Sequence, residues 1–189
     1  MRLDRALGLI ALFIALGAIS ARAQQEQEYE VPYVPTPENV VAEMLKLANL
    51  KKGDVVYDLG SGDGRIVIMA AQKAGVKGVG IEINPERIKE AEENARKAGV
   101  TDLVTFRHND LFEENISPAT VVTLYLLPEV NLRLRPKLLK ELKPGARVIS
   151  HDYDMGDWKP DKEVQLEGHK IYYWVIPANG PKKASGEKD

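Results

Sequence analysis

A glycine-rich loop at residues 58–64 carries the strongest chemical signal in this sequence. It follows a short apolar run, has glycine at three alternate positions and begins with an acidic residue. Because glycine has no side chain, the backbone of such a loop can approach a bound molecule closely. The residues that we expect to contact a ligand here are Asp58, Gly60, Ser61, Gly62 and Gly64.

The glycine spacing argues against the two common phosphate-binding loops. A dinucleotide fingerprint would need glycine where the chain has Arg65, and the G-K-[ST] ending of a P-loop is absent. The carboxylate of Asp58 is unfavourable beside a pyrophosphate and favourable beside a cation. S-adenosylmethionine meets these requirements, because its sulfonium and ammonium groups are positive and it has no phosphate.

Two further acidic positions follow apolar runs later in the chain. Glu82 ends the run 79–82, and Asn109 and Asp110 follow the run 103–107. A carboxylate can accept two hydroxyl donors at once, as binding of a ribose requires. Other roles remain open, because Asp58 or Asp110 could cap a turn and Glu82 could be a solvated charge at a helix start.

The chain around these motifs alternates between strand and helix patterns. Apolar runs predict strands at 55–59, 79–82, 103–107, 120–124 and 146–150, and helical spacing predicts helices at 37–48, 66–74, 85–98 and 129–142. Thr36 is expected to be the N-cap of the first helix, with Pro37 as its first residue. Pro136 is expected to break the last helix or restart it.

Residues 163–166 and 170–176, around Glu167 and Gly168, predict a terminal hairpin. Repeated strand–helix units require a parallel sheet with helices on both faces, which is an α/β fold. Ligands of such sheets bind at the carboxyl ends of the strands. The loops that follow the strands are therefore the expected site.

From about Tyr33 to Ile176 the sequence resembles the class I, seven-strand S-adenosylmethionine-dependent methyltransferases, on its glycine loop and its acids at three successive strand ends. The resemblance implies a Rossmann-like, doubly wound sheet of seven strands that ends in an antiparallel hairpin. It also implies that Glu82 accepts the ribose hydroxyls of the cofactor, and that Asp110, with Asn109, accepts the adenine amino group.

Three stretches, at residues 33–45, 121–128 and 148–160, resemble the archaeal broad-specificity and the mitochondrial protein lysine methyltransferases. This resemblance implies that Tyr33 and Thr36 close over the methionine end of the cofactor and that Tyr125 lines the acceptor channel. The Asn/Asp-Pro-Pro-aromatic tetrad of many adenine and glutamine methyltransferases is absent. The candidates on the acceptor side are His151, Asp152, Tyr153 and Trp158.

Methyl transfer to lysine requires a neutral amine in line with the sulfonium methyl group, because an ammonium has no lone pair. Desolvation beside a cation lowers the pKa of the lysine, so the enzyme contributes mainly proximity and orientation. Tyr125 and Asp152 are the catalytic candidates, although Tyr125 fits a core position equally well and an aspartate such as Asp152 more often has a structural role in a turn. Two alternatives stay open, namely a small-molecule methyltransferase and an exported protein that binds the cofactor without turnover.

The composition narrows the possible partners. The 189 residues carry a net charge of −2, which provides no global positive field for nucleic acid, and they include no cysteine. The three histidines are scattered through the chain without the spacing of metal ligands, so no metal site is expected. The expected cofactor is S-adenosylmethionine alone, and the expected partner is the lysine of a protein.

The first 23 residues have the layout of a secretory signal, with two arginines among residues 1–5, an uncharged run at 7–21 and small residues at Ala21 and Ala23. A membrane anchor is the alternative. We therefore expect a signal peptide or anchor at 1–23, a methyltransferase domain at 24–177 and a disordered tail at 178–189. The protein would be exported after cleavage, or held at a membrane, and either location leaves open how the cofactor reaches it.

Overall fold

The computed structural model describes residues 33–178. The predicted signal or anchor at 1–23, the start of the predicted domain and the predicted tail beyond residue 178 lie outside the described residues. Within residues 33–178, no helix is long and apolar enough to cross a membrane.

Helices and strands alternate along most of the described residues, but no helix separates the third strand from the fourth or the fifth strand from the last two. The helices are α1 (Glu38–Ala48), α2 (Arg65–Ala74), α3 (Pro85–Ala98) and α4 (Pro128–Glu141). The strands are β1 (Val55–Leu59), β2 (Lys77–Glu82), β3 (Val104–His108), β4 (Val121–Leu124), β5 (Arg147–His151), β6 (Lys162–Leu166) and β7 (His169–Val175).

The strands form one seven-stranded sheet in the order β3-β2-β1-β4-β5-β7-β6. The pairs from β3 to β5 are parallel, whereas β7 is antiparallel to both β5 and β6. The strand order reverses between β1 and β4, which is where an open sheet of this kind leaves a crevice for ligands. The predicted α/β sheet with a terminal antiparallel hairpin is confirmed.

Apolar burial is concentrated in the middle of the sheet. All four residues of β4 are buried, as are the last four residues of β1 and of β5. Helix α1 buries Val40, Val41, Met44, Leu45 and Ala48 against this core. The central strands are therefore held on both faces, and their carboxyl ends are a firm base for the loops that follow them.

Two predicted helix features are wrong. Pro37, not Thr36, is the N-cap of α1, and no side chain caps this helix, because the Thr36 hydroxyl is bonded elsewhere. Pro136 lies inside α4 without ending it. Both Pro136 and Leu132, the residue one turn earlier, are exposed, so water can satisfy the carbonyl that a proline inside a helix leaves without a donor.

An ion pair between Asp54 and Arg147 connects the residue before β1 to the first residue of β5. Arg147 also donates to the carbonyl oxygen of Ala48 at 2.6 Å, and Asp54 accepts from Thr120 Oγ1 at 2.8 Å. Only 14% of the Arg147 side chain and 11% of the Asp54 side chain are exposed. Burial tends to raise the pKa of Asp54, but the hydrogen bonds from Arg147 and its neighbours outweigh it, and the pKa is lowered.

We expect Arg147→Ala to lower the free energy of unfolding by about 2–4 kcal/mol at pH 7, because it leaves the Asp54 carboxylate without its partner. A lowered folded pKa means that the stabilisation exists at neutral pH and disappears as the pH falls through that pKa. The deficit of the variant should therefore shrink below about pH 4. Urea unfolding at pH 7 and at about pH 3 measures both effects.

Lys46→Ala is the matched control for this prediction. Lys46 forms an ion pair with Glu43 on the surface of α1, where 75% of the lysine side chain is exposed. Exposed pairs of this type contribute about 0.5 kcal/mol or less. Equal losses in the two variants would show that the buried position of Arg147 adds nothing.

Candidate functional site

The glycine loop turns tightly between β1 and α2. The amides of Gly60 and Ser61 both donate to the carbonyl oxygen of Ile81 at 2.9 Å, and the amide of Gly64 donates to the carbonyl oxygen of Ser61 at 2.9 Å. Positive φ angles of 81°, 51° and 80° occur at the three loop glycines Gly60, Gly62 and Gly64. The alternate glycines are thus explained by backbone conformation as well as by access for a ligand.

Gly64 provides a test of how closely the loop is packed. A Cβ at this position would lie 2.5 Å from the Phe106 ring and 3.0 Å from Ala91, and the φ of 80° adds strain. We expect Gly64→Ala to lower the free energy of unfolding by about 3 kcal/mol, combining overpacking with left-handed strain. Chemical denaturation measures the loss.

Gly75→Ala is the matched control, because Gly75 has a φ of 61° and no atom lies within 4 Å of the point that its Cβ would occupy. This variant isolates the cost of the left-handed backbone, about 1 kcal/mol. If the free energy of unfolding falls by the same amount in both variants, the close packing around Gly64 does not contribute to the loss.

Glu82, at the end of β2, ties the loop to the neighbouring strand. One carboxylate oxygen accepts from the amide of Gly62 at 2.8 Å, and the other accepts from the amides of Ile83 and Asn84, each at 2.9 Å. A carboxylate has about four lone-pair sites, so it can hold these amides and still accept a ligand hydroxyl. Asn84 is the N-cap of α3. Glu82, the residue predicted to bind the ribose, thus also organises the backbone of the site.

Asp58, at the end of β1, is 2% exposed, and its carboxyl group accepts from Thr123 Oγ1 of β4 at 2.7 Å. Burial raises the pKa of this carboxyl to about 7, and the nearby charges of Asp63 and Glu82 contribute in the same direction. A carboxyl group held in this way is stabilised by an approaching cation. It is therefore suited to a positively charged ligand.

Tyr33 and Arg65 cover the glycine loop. A Cβ on Gly62 would lie 2.6 Å from the Tyr33 ring, and the guanidinium of Arg87 lies 4.3 Å from the centre of the same ring. Arg65 forms an ion pair with Asp63 at 2.6 Å and donates to the carbonyl oxygen of Thr36 at 2.9 Å. Arg65 thus connects the segment before α1 to the loop.

Asn109 and Asp110 lie beside Glu82, as predicted from the strand ends. The amide of Asn109 donates to the carbonyl oxygen of Glu82 at 3.1 Å, and its side chain donates to Glu114 at 2.9 Å. One oxygen of Asp110 accepts from the amide of Phe112 at 2.8 Å and so caps a turn. Asp110 therefore has the capping role that the sequence left open, and its adenine contact stays a prediction.

The residues present fit S-adenosylmethionine. The carboxyl groups of Asp58, Asp63 and Glu82 lie around the glycine loop, close enough to influence one another electrostatically. Of these three, Asp63 forms an ion pair with Arg65. The Ser61 hydroxyl is buried without a hydrogen-bond partner among the described atoms. A ligand with positive groups and several polar atoms matches this combination of negative charge and unused hydrogen-bonding capacity.

The second half of the site lies at the carboxyl ends of β4 and β5. His151 is fully buried, with its Nδ1 atom 3.2 Å from Thr36 Oγ1 and its ring 3.9 Å from that of Tyr125. The Tyr153 ring stacks on Tyr125 at 6.3 Å. The predicted residues Tyr125, His151 and Tyr153 therefore form one contiguous aromatic wall, and Thr36 connects it to Arg65, the residue that follows the glycine loop.

Trp158 stands apart from this wall. Its ring contacts that of Trp174 at 5.6 Å, and its carbonyl oxygen accepts from the indole of Trp174 at 2.8 Å. Trp174 is fully buried in β7. The structure thus places Trp158 in the packing of the hairpin, and a contact with the acceptor stays a prediction.

The sequence did not single out His169 as part of the site. Pairing of β5 with β7 places His151 opposite Ile171, which brings His169 to the same end of the sheet. Asp152 contacts both histidines, at 3.0 Å from His169 and 3.3 Å from His151. These two histidines, scattered in the sequence, are therefore neighbours in space. Only the register of the hairpin, read together with the fifth strand, could have revealed this cluster.

Comparisons with known proteins agree on one family. The model of a family described as the ANTKMT methyltransferase domain matches residues 58–162. A protein-lysine N-methyltransferase of Saccharolobus islandicus is 52% identical over 151 residues, which are 77% of this chain and 94% of that protein. Adenine nucleotide translocase lysine N-methyltransferase of Mus musculus is 33% identical over 156 residues, 82% of this chain and 68% of the relative.

A solved structure matches the fold. It is described as an RNA methyltransferase from Salinibacter ruber in complex with S-adenosyl-L-homocysteine, and it is 58% identical to this chain. It covers 82% of this chain and 99% of its own length, with a TM-score of 0.77. The two names given to similar proteins, one for a lysine and one for an RNA substrate, differ in the acceptor and agree on methyl transfer.

Proposed function

This chain belongs to the family of the ANTKMT methyltransferase domain and is an S-adenosylmethionine-dependent methyltransferase, and from this premise we propose that it methylates lysine side chains of a protein. The observation that carries the proposal is the 52% identity to a protein-lysine N-methyltransferase over 94% of that relative. The mouse relative is also named for a lysine substrate, in an adenine nucleotide translocase.

The aromatic wall formed by Tyr125, His151 and Tyr153 supports a lysine acceptor. Tyr125 is half-buried and its ring packs on His151. Aromatic rings suit the apolar stem of a lysine and remove water from around its amine, which favours the neutral form. Burial lowers the pKa of His151 to about 4, so its imidazole is neutral and packs on Tyr125 as an uncharged ring.

Methyl transfer to a neutral amine requires no strong acid or base from the chain. When bound, S-adenosylmethionine supplies an electrophilic methyl group on a positively charged sulfur. The residues of the chain hold the acceptor amine and exclude water, which favours the neutral form of the amine. We propose that Tyr125 lines the channel. Asp152 is bonded to the amide of Lys170 and to His169, so we propose that it acts by positioning these residues.

RNA is the second candidate acceptor, because the Salinibacter ruber protein is 58% identical and is described as an RNA methyltransferase. The charge of this chain disfavours it, since the net value of −2 offers no general attraction for a phosphate backbone. Many basic side chains are also neutralised locally, as in the pairs of Arg65 with Asp63 and Lys97 with Glu93.

A labelling experiment separates the candidates. The purified chain is incubated with S-adenosylmethionine carrying a radiolabelled methyl group and, in separate reactions, with membrane proteins, soluble proteins, total RNA and a small-molecule extract. We expect label in protein, released on hydrolysis as methyllysine. Label in RNA or in the small-molecule extract, with none in protein, would overturn the lysine assignment and leave the methyltransferase family intact.

Tyr125→Ala tests the role of the aromatic wall in binding the acceptor. We expect kcat/KM for the protein acceptor to fall at least about 10-fold, because the lost ring orients the amine, while the Kd for S-adenosylmethionine changes by less than about 3-fold. Tyr173→Ala is the matched control, since Tyr173 is similarly half-buried but lies in β7 beside Lys162. A drop of equal size in the control would mean that the effect is structural.

We also propose that residues 1–23 direct export or anchor the domain at a membrane, on the grounds of their signal-like pattern. Mass determination of the protein purified from its source tests this proposal. A mature N-terminus at Gln24 supports export, an intact N-terminus in the membrane fraction supports an anchor, and an intact soluble chain contradicts both.

A further inference from the structure

Three potential metal ligands meet at the outer end of β5. The Nε2 atom of His151 lies 2.9 Å from Nδ1 of His169, and this Nδ1 lies 3.0 Å from Oδ2 of Asp152. The third side of the triangle, from His151 Nε2 to Asp152 Oδ2, is 3.3 Å. A linear chain of hydrogen bonds through these three side chains would require only two short contacts. Here all three distances between the ligand atoms are 3.3 Å or less.

The triangle has the dimensions of one face of a metal coordination shell. A metal ion about 2.1 Å from each ligand places neighbouring ligand atoms about 3.0 Å apart in an octahedron and about 3.4 Å apart in a tetrahedron. The three observed sides fall between 2.9 and 3.3 Å. All three atoms can offer lone pairs to one ion.

The surroundings orient the ligands as metal sites require. The other ring nitrogen of His151 lies 3.2 Å from Thr36 Oγ1, and the second oxygen of Asp152 accepts from the amide of Lys170 at 2.8 Å. Such outer contacts fix the histidine tautomer and the carboxylate direction. The backbone of Asp152 has a φ of 59°, in the left-handed region that few residues other than glycine, asparagine and aspartate adopt, and its carboxylate faces both histidines.

Access is available on one side of the cluster. The His151 side chain is fully buried, whereas 32% of the His169 and 26% of the Asp152 side chain are exposed. An ion can therefore enter from solvent, with coordination positions left for water or for a group of the substrate. Two imidazoles and one carboxylate suit transition metals of intermediate softness and suit Mg²⁺ poorly.

From this geometry we propose that His151, Asp152 and His169 bind one divalent transition-metal ion of the Zn²⁺, Co²⁺ or Ni²⁺ class, at the edge of the aromatic wall to which His151 belongs. The ion would join β5 to β7 and, through the bond of Thr36 to His151, hold the segment before α1. This site is independent of whether the acceptor is lysine.

The test uses the untagged full chain after treatment with EDTA and dialysis. Zn²⁺ is titrated by calorimetry, and Co²⁺ is added to observe visible d–d absorption. We expect one ion per chain and a higher thermal unfolding midpoint with Zn²⁺, because a ligand that binds only the folded state stabilises it. Mg²⁺ at the same concentration should produce neither effect.

His169→Gln and Asp152→Asn are the variants, chosen because both side chains are partly exposed and the fold does not depend on burying them. We expect each to weaken Zn²⁺ binding at least about 100-fold, while His108→Gln, which removes the histidine bonded to the carbonyl oxygen of Ile83, leaves it unchanged. A urea unfolding curve establishes that each variant is folded.

Two results would overturn the site. One is a folded wild-type chain that binds neither Zn²⁺ nor Co²⁺, which would leave the triangle as a hydrogen-bonded cluster. The other is binding that persists unchanged in both variants, which would place the ion elsewhere. The measurement contains no methyl donor or acceptor, so its failure is separate from any failure of the lysine assignment.

Discussion

Asp58→Asn should make the cofactor-free protein more stable at pH 8 and at the same time weaken its binding of S-adenosylmethionine by about 30-fold or more. Both effects arise from one carboxyl group that is 2% exposed. Asparagine keeps an oxygen that can accept from Thr123 and removes the negative charge. The free energies should therefore change in opposite directions for folding and for binding.

The pH dependence fixes the sign of the stability effect. Burial raises the pKa of Asp58 to about 7, above its value in the unfolded chain. Between about pH 4 and pH 7 the folded state holds a proton that the unfolded state has released, so stability falls as the pH rises, by a total on the order of 4 kcal/mol. The variant lacks this loss. Its advantage over the wild type should be larger at pH 8 than at pH 5.

Urea unfolding at the two pH values and calorimetric titration with S-adenosylmethionine measure both halves of this prediction. Asp102→Asn, at an exposed position between α3 and β3, is the control and should alter neither quantity. A variant that binds the cofactor as tightly as the wild type would show that the carboxylate is not a cation partner. Destabilisation at pH 8 would show that the buried charge is not the dominant effect.

Glu82→Gln should weaken binding of S-adenosylmethionine about 10- to 100-fold, nearly as much as Glu82→Ala, although glutamine has the same shape. Both oxygens of Glu82 accept from backbone amides, one from Gly62 and the other from Ile83 and Asn84. A glutamine must turn its NH₂ group towards at least one of these donors. Either Gly62 loses its acceptor, or Ile83 and Asn84 lose theirs.

Calorimetry on the wild type, both Glu82 variants and Glu86→Gln measures this effect. Glu86 is exposed in the first turn of α3 and pairs with Lys89, so its variant should bind like the wild type. If Glu82→Gln retains full affinity while Glu82→Ala loses it, then a single acceptor is sufficient, and the requirement for two oxygens is wrong.

Much of the fold follows from local patterns. The strand 55–59 and the helix that begins after Asn84 and ends before Gly99 are confirmed, because apolar runs and capping residues specify them locally. The strand predicted at 146–150 lies one residue later in the structure, at Arg147–His151. One residue of shift matters little for a strand buried on both faces, since the apolar run does not identify its own ends.

The parts of the site that escaped prediction depend on distant contacts. Thr36 has the residue type and position of an N-cap, but its hydroxyl meets His151, 115 residues later in the chain. The role of Thr123 beside Asp58 depends on the pairing of β1 with β4. No local pattern contains such information, because it appears only when separate strands are aligned in the sheet.

The position of β7 has a consequence for how the molecule is made. This strand lies between β5 and β6 in the sheet, and it follows both of them in the chain. During synthesis from the N-terminus, the outer edge of β5 has no partner until β7 emerges, and an unpaired edge is prone to aggregate. Both His169 and Trp174 arrive with that strand. Assembly of the acceptor side therefore has to wait for the synthesis of β7, whereas the glycine loop can form earlier.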